Sequence, residues 1–547
     1  MPRLALIFPP AMHPTSPPLG LACLQAYAKE QAPGWQVRVF DLNLAYYRQG
    51  LAWMAGERLR LNLKGWDHRT TCREVTRAVE LFQGELGLEP FLDLEEYQAR
   101  ARVYRRFEHV FNGLFDTFAR SLAAGLAVPE LARRFFAELL QPVRRFQPHL
   151  AGFSLLFSQQ LYFALALARD LKKDGATVVL GGATLSVMPR PQRLLAGTIP
   201  TRIGQKTHPC RTGEMVDYLV AGEGEAALAA LLRHYPAGRE QVPGLIYAGE
   251  EGPRENPPHM VEDLGRLPRP DFQDLEPQEY HSPRPVLPLL TSRGCYWARC
   301  AFCTHNQTYL AYREAPLQGV VEQMAELQEI HGVRHFALVD EMIHPRRFQG
   351  LSRALARRGL DIRYSAYAKP VAGFTRRLLE EMHRRGNRLL LWGVESGSQR
   401  VLELMDKGVR REEMEQVLRR AHQAGIWNLL FLLFGFPSET AREWDQTLEL
   451  VRRLGPAVDA VSKSSFVLMP GSRIQRRPQD FGIREIRQTP DQDPVSVALD
   501  YRVSSGLDQN QVRRRYRETL PLLESLGRSP WLALFRDHML IHSSAGR

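Results

Sequence analysis

Short apolar strands alternate with amphipathic helices twice along this chain, and that rhythm confines it to folds built on parallel sheets. In the first series "RLALIFPP" reads as a buried strand, "PPLGLACLQAYAKEQ" as a helix entered from a proline-rich turn, and "WQVRVFDLN" as a second strand. The pattern resumes at "LAGFSLLFSQQLYFALALARDLKKDG" and "ATVVLGGATLSVMP", and closes with "DYLVAGEGEAALAALLRHY". Between these parts, residues from about 50 to 145 carry apolar positions every three or four residues among arginines and read as a helical insertion. The expected first domain is therefore a Rossmann-like α/β unit over residues 1–250.

Residues 251–284 hold many prolines and few periodic apolar positions, so a linker is expected there. A second series spans residues 285–480, with strands in "PVLPLLTSRG", "VRHFALVD", "IRYSAYAKP", "RLLLWGVES", "WNLLFLLFGFP" and "AVSKSSFVLMPGS". Helical stretches follow the first five, which predicts a (β/α)6 partial TIM barrel rather than another small open sheet. Residues 481–547 form an arginine-rich C-terminal region with a helical run near Asp508–Leu526. A chain of 547 residues is long enough for these several domains.

Open parallel sheets bind ligands at the carboxyl ends of their strands. Here those ends read "FPP", "GFS", "LGGA" and "AGEGE", small residues that let a large ligand approach the backbone. The formal charge of +12 is spread over helical segments such as "RRFEHVF", "LARRFFAELL" and "QVRRRYRETL". These read first as solvated helix faces, with an anionic partner as the alternative; no nucleic-acid-binding module is recognisable. No run approaches the ~18 apolar residues of a membrane span. The N-terminus lacks the apolar core and cleavage site of a signal peptide, so a cytoplasmic location is expected.

Three of the six cysteines stand together in "TSRGCYWARCAFCTHN", as Cys295-x4-Cys300-x2-Cys303. Cys23, Cys72 and Cys210 are scattered, so a disulfide framework is not indicated. In a reducing compartment such a cluster points to metal. Zinc held by the three thiolates and His305 would make a closed structural tetrahedron. A four-iron, four-sulfide cubane takes four ligands when it only carries electrons, and three cysteines leave one iron open for a further ligand. The cluster follows the first barrel strand, at the face where barrel enzymes keep their chemistry.

Here the chain resembles the radical S-adenosylmethionine (SAM) superfamily, in its cobalamin-binding branch. "WGVESGSQRVLELMDKG" (Trp392–Gly408) looks like that branch's fourth-strand signature, "LFGFPSET" (Leu433–Thr440) like its fifth and "FVLMPGS" (Phe466–Ser472) like its sixth. The usual cysteine spacing is Cys-x3-Cys-x2-Cys, and this chain has one extra residue between the first two. "FPP…PPLGL", "GFS", "LGGA" and "AGEGE" resemble the family's cobalamin-binding domain. The resemblance covers roughly residues 1–50 and 145–480. It implies that Cys295, Cys300 and Cys303 hold a 4Fe-4S cluster, with Phe302, Glu341, Glu395, Ser396 and Gly435 at SAM. Glu341, in "LVDE", stands where many relatives have Gly-Gly-Glu and is expected at the SAM ammonium; Glu395 is expected at its ribose hydroxyls or ammonium. The cobalamin contacts it implies are Pro9, Pro10, Leu19, Gly20, Ser154, Leu155, Gly181, Gly182, Ala183, Glu223, Gly224 and Glu225.

Many cobalamin proteins ligate cobalt through Asp-x-His-x-x-Gly. The corresponding turn here, "AMHPTS", has His13 without the aspartate or glycine. An imidazole ligand usually needs a carboxylate to fix its tautomer, so His13 is expected not to ligate cobalt. The function implied is a cobalamin-dependent radical SAM methyltransferase acting on an unactivated carbon of a peptide or small molecule. It would take electrons from an external flavodoxin- or ferredoxin-type reductant. The alternatives are a cobalamin-dependent radical SAM cyclase or rearrangement enzyme and, from another class, a zinc-stabilised nucleic-acid-binding protein. A methylthiotransferase would need a second set of clustered cysteines.

Overall fold

A computed structural model describes residues 1–305, 309–487 and 498–545. The N-terminal sheet has five parallel strands in the order Gln36–Asp41, Arg3–Phe8, Leu150–Ser154, Thr177–Gly181 and Tyr218–Val220. The antiparallel strands Leu245–Gly249 and Gly252–Glu255 extend it at one edge. Residues 252–255, expected in the linker, are thus the edge strand. The strand order reverses between Arg3–Phe8 and Leu150–Ser154. That reversal opens a crevice at their carboxyl ends, where the loops of residues 9–18 and 155–159 leave in opposite directions.

The insertion is helical as expected, with helices Leu42–Ala55, His68–Gln83, Leu88–Leu92, Leu94–Ala123 and Glu130–Phe146. The longest is capped by the Asp93 carboxylate, which accepts from the amides of Glu95 and Glu96. Its buried stripe of Tyr97, Tyr104, Phe107, Phe111 and Phe115 follows helical spacing and packs into the core of the first domain. Its arginines pair along the same helix, Arg100 with Glu96, Arg105 with Glu108 and Arg120 with Asp116. Much of the positive charge there is neutralised locally, as a solvated helix face requires.

The second sheet is a six-stranded parallel partial barrel in sequential order: Val286–Leu289, His335–Leu338, Arg363–Ala368, Asn387–Glu395, Trp427–Phe434 and Ala460–Ser465. Trp392 and Leu430 face outward onto the helices, while Leu389, Leu391, Trp427 and Leu429 face inward. The inward set packs against Leu532, Phe535, Met539 and Leu540, so the C-terminal segment with its helix Arg536–Ser544 fills the open barrel. The expected helical run near Asp508–Leu526 is the helix Gln509–Ser525, started by a capping box of Asp508 and Gln511. Among the described residues no helix is long and apolar enough to cross a membrane.

Candidate active site

The cysteine loop is held from three sides. Asp340, at the carboxyl end of the second barrel strand and fully buried, accepts from the Thr291 amide and from the hydroxyls of Thr291 (2.8 Å) and Ser292 (2.5 Å). Next to them, Arg293 donates to Glu223 (3.0 Å) and Glu225, and Arg313 also donates to Glu223, with all four side chains buried. From the fourth strand's loop, the Asp406 carbonyl accepts from the Trp297 indole (2.7 Å) and the Met405 carbonyl from the Ala301 amide (2.8 Å). A buried arginine between two carboxylates is stable only as a complete set. Here that set joins the carboxyl edge of the first sheet to the residues just before Cys295.

The three cysteines lie partly buried within this frame. Burial raises the Cys300 thiol and pushes that of Cys303 up to about 12. These groups stay protonated until a metal takes the proton's place, which suits metal ligation better than free-thiol chemistry. Among the described residues, no three His, Cys, Asp or Glu side chains converge to hold a single metal ion. His305, the fourth ligand of the zinc alternative, is engaged elsewhere: its Nδ1 lies 2.5 Å from Glu341 Oε2. That hydrogen bond raises the imidazole's pKa. With His305 committed to Glu341, the zinc alternative lacks its fourth ligand, whereas three thiolates suffice for a cubane with one iron left open.

Two lysines complete the wall, and sequence reasoning missed both. The buried Lys407 donates to Glu395 Oε1 at 2.7 Å. Lys369, buried, donates to the Lys407 carbonyl (3.3 Å) and lies 3.3 Å above the Trp297 ring. Burial, and then the charge of Lys407, lower its ammonium to about 8. Glu395 itself has φ +64° at a register shift in the fourth strand. A non-glycine residue held there costs on the order of 1–3 kcal/mol, and such strain is concentrated at functional sites.

Residues 289–451 match the family model described as the radical SAM superfamily. The chain carries a radical SAM domain. An uncharacterised methyltransferase of Pyrococcus horikoshii is 25% identical over 348 residues, which cover 62% of this chain and 71% of that protein. The anaerobic magnesium-protoporphyrin IX monomethyl ester cyclase of Cereibacter sphaeroides is 25% identical over 281 residues, 49% of this chain and 45% of the cyclase. The chain thus spans less than half of that relative. Among solved structures, the cobalamin-dependent SAM radical enzyme OxsB, with aqua-cobalamin and SAM bound, aligns at TM-score 0.62 and 15% identity, covering 95% of this chain and 66% of OxsB. The radical SAM methyltransferase TsrM from Kitasatospora setae, with tryptophan substrate and a SAM analogue bound, aligns at 0.55 and 18%, covering 89% and 79%. These likenesses show that the fold around the radical SAM domain is the one seen in OxsB and TsrM.

The other expected site residues divide into two groups. Phe302, half-buried, and Glu341 and Glu395, at strand ends, share the cysteine face through His305 and Lys407; the Lys407 ammonium lies 6.0 Å from the Phe302 ring. Ser396, in contrast, is fully buried, bonding Thr447 Oγ1 at 3.3 Å and the Ser398 amide at 3.1 Å, so it shapes its own loop. At Gly435, with φ +75°, an added Cβ would lie 2.5 Å from Val512. Its missing side chain makes room for Val512 of the helix Gln509–Ser525.

On the sheet edge, Pro9 and Pro10 are buried in the floor, and the Pro9 carbonyl accepts from Gln160 Nε2 at 2.7 Å. Gln160, also missed in the sequence, is fully buried and accepts the amides of Leu156 (2.8 Å) and Phe157 (3.0 Å), tying together the two loops that flank the crevice. Leu19 and Gly20 open the first helix, with free space beside Gly20. Ser154, Gly181 and Ala183 are half-buried along the rim. Leu155 is fully buried, and its backbone is what a Cβ on Gly182 would strike, at 2.5 Å from the carbonyl oxygen. Gly224 begins the helix Gly224–His234, while Glu223 and Glu225 are consumed by Arg293 and Arg313. Those two carboxylates therefore join the domains instead of lining the crevice. Leu156 and Phe157, 46% and 47% exposed at the third strand's end, give the crevice an apolar rim suited to a flat, largely apolar ligand.

Proposed function

We propose that this protein is a cobalamin-dependent radical SAM methyltransferase that methylates an unactivated carbon of a peptide or small-molecule substrate. The observation that carries this reading is the buried set Glu223–Arg293–Glu225–Arg313, which brings the loop of Cys295, Cys300 and Cys303 against the carboxyl edge of the first sheet. Ligands of the two halves would then share one chamber. A 4Fe-4S cluster on the three cysteines would supply the electron for SAM cleavage, and cobalamin at the sheet edge would act as methyl carrier. The chain's own residues orient and enclose. Glu395, fixed by Lys407, offers its second oxygen as an acceptor for a SAM ribose hydroxyl or ammonium. Trp297 and Lys369 cover the cysteine loop and shield it from water. Gln160 fixes the two loops that would border the corrin.

The test is anaerobic reconstitution with iron, sulfide and cobalamin, reduction by a flavodoxin- or ferredoxin-type donor, and incubation of labelled SAM with candidate peptides and small molecules. Label in product is the expected result. A product closed into a ring without label would support the second reading, a cyclase, which the similarity to the Cereibacter sphaeroides protein favours.

A further inference from the structure

The C-terminal helix places one cation where the resemblance to the family gives no guide. Tyr367 and Phe431 both point into the barrel: Tyr364, Ala366 and Ala368 on one strand, and Leu430 and Leu432 on the other, take the outward positions. Their rings are parallel within 2° at a centroid separation of 6.0 Å. The Arg536 guanidinium lies over both, 5.1 Å from Phe431 and 5.7 Å from Tyr367, and donates to the Tyr367 hydroxyl.

Neighbouring contacts locate this group. Phe535, preceding it, meets His13 of the sheet-edge loop at 4.9 Å, and Asp537, following it, accepts from Thr15 of the same loop at 2.7 Å. The Tyr367 hydroxyl feels the charges of Arg536, Asp537 and Glu341, the last bonded to His305 beside the cysteines. Arg536 therefore stands between the sheet edge and the mouth of the barrel, with its side chain exposed. Arg105, near the same loop, is neutralised by Glu108. Among the described residues Arg536 has an aromatic bed and a hydroxyl partner, but no carboxylate within ion-pair distance.

The neighbouring Asp537 carboxyl, committed to Thr15, also feels its charge. Even so, a guanidinium clamped on rings, with no carboxylate in ion-pair contact and, among the described residues, the Tyr367 hydroxyl as its hydrogen-bond partner, is preorganised for two-pronged recognition of an oxyanion. We infer that Arg536 anchors an anionic group of the substrate, a carboxylate or a phosphate. This rests on the proposed reading insofar as the substrate occupies that chamber.

The test uses protein reconstituted anaerobically with iron, sulfide and cobalamin, and equilibrium dialysis at low ionic strength with labelled inorganic phosphate and labelled acetate as probes. Wild type should bind at least one of them saturably, and the preferred probe tells phosphate from carboxylate. Arg536→Gln should weaken that binding at least about tenfold, and Arg536→Lys, which keeps charge without the fork, by less. SAM affinity and retained corrin absorbance should be unchanged in both variants. The inference fails if neither probe binds the wild type, or if Arg536→Gln binds as tightly. It also fails if that variant loses SAM or cobalamin, because the guanidinium would then be a cofactor contact. Wild type that takes up neither iron nor corrin would sink the proposed function instead, and the same samples report this separately.

Discussion

His13 Nδ1 lies 2.5 Å from Glu108 Oε1, a carboxylate donated by the helical insertion. Glu108 is buried and also accepts from Tyr47 (3.3 Å) and Arg105 (3.1 Å). The partner that "AMHPTS" lacks locally is thus supplied from a distant helix. The sequence argument that His13 has nothing to orient it is therefore corrected, since a second-shell carboxylate is present.

The prediction that His13 does not ligate cobalt now rests on a different observation. With Nδ1 on Glu108, the other ring nitrogen, Nε2, lies 3.4 Å from Arg105 Nη1, so a guanidinium occupies the side a metal would need. Electron paramagnetic resonance of the cobalt(II) form should show no superhyperfine splitting from an imidazole nitrogen. Splitting that disappears in His13→Ala would overturn this.

Cys295, Cys300 and Cys303 should together account for the cluster. Replacing all three with alanine should remove its iron and abolish reductive SAM cleavage, with the fold of the first domain intact by circular dichroism. Iron content and cleavage equal to wild type would refute the assignment.

Glu395 and Lys407 behave as a unit. Glu395→Gln keeps the shape but loses the charge, and should weaken SAM binding roughly tenfold through loss of a charge-assisted hydrogen bond of about 1.5–3 kcal/mol. Lys407→Met leaves the Glu395 charge without its partner and should cost about 3–5 kcal/mol of stability, because breaking a buried pair strands a charge. Isothermal titration with SAM and thermal unfolding separate the two effects. Unchanged SAM affinity in Glu395→Gln would remove that residue from the site.

Both parallel sheets were legible because their signals are local: apolar strands of the right length, helical periodicity and proline-rich breaks. The cysteines were legible because metal ligands cluster in sequence. What stayed hidden depends on contacts across long separations. Nothing near "AGEGE" tells that Glu223 and Glu225 will meet Arg293, or near "YAKP" that Lys369 will lie over Trp297. Arginine abundance concealed Arg536, since most arginines here are paired helix-face residues and only its place in the barrel sets it apart.

The set of Arg293 with Glu223 and Glu225 makes its own prediction. Arg293→Met should lose about 3–5 kcal/mol, since two buried carboxylates would be left facing each other with Arg313 alone. Thermal unfolding of the cofactor-free protein measures this without reference to activity. A variant as stable as wild type would show that the seam contributes little to joining the domains.

Three histidines make the seam between insertion, linker and C-terminal helix sensitive to acid. His281 Nδ1 lies 2.9 Å from the Tyr104 hydroxyl, His538 Nδ1 lies 3.0 Å from that of Tyr97, and His538 Nε2 lies 2.7 Å from the His281 carbonyl. Burial lowers His281 and His538 to about 3 and His542 to about 4. In the unfolded chain each titrates near 6.5. Between pH ~6.5 and those lowered values the unfolded state binds more protons, so stability rises with pH and is lost as pH falls. Each histidine contributes a slope of at most about 1.4 kcal/mol per pH unit. Above pH ~7 all three are neutral in both states and their contribution is flat. The melting temperature should therefore fall more steeply from pH 6.5 to 5 in wild type than in His281→Phe, which removes one titrating group while keeping an aromatic ring against Tyr104. Hydrogen exchange in the helix Arg536–Ser544 should accelerate over the same range, because His538 and His542 lie on that helix. Parallel pH profiles for wild type and variant would mean that these imidazoles already take up protons in the folded state.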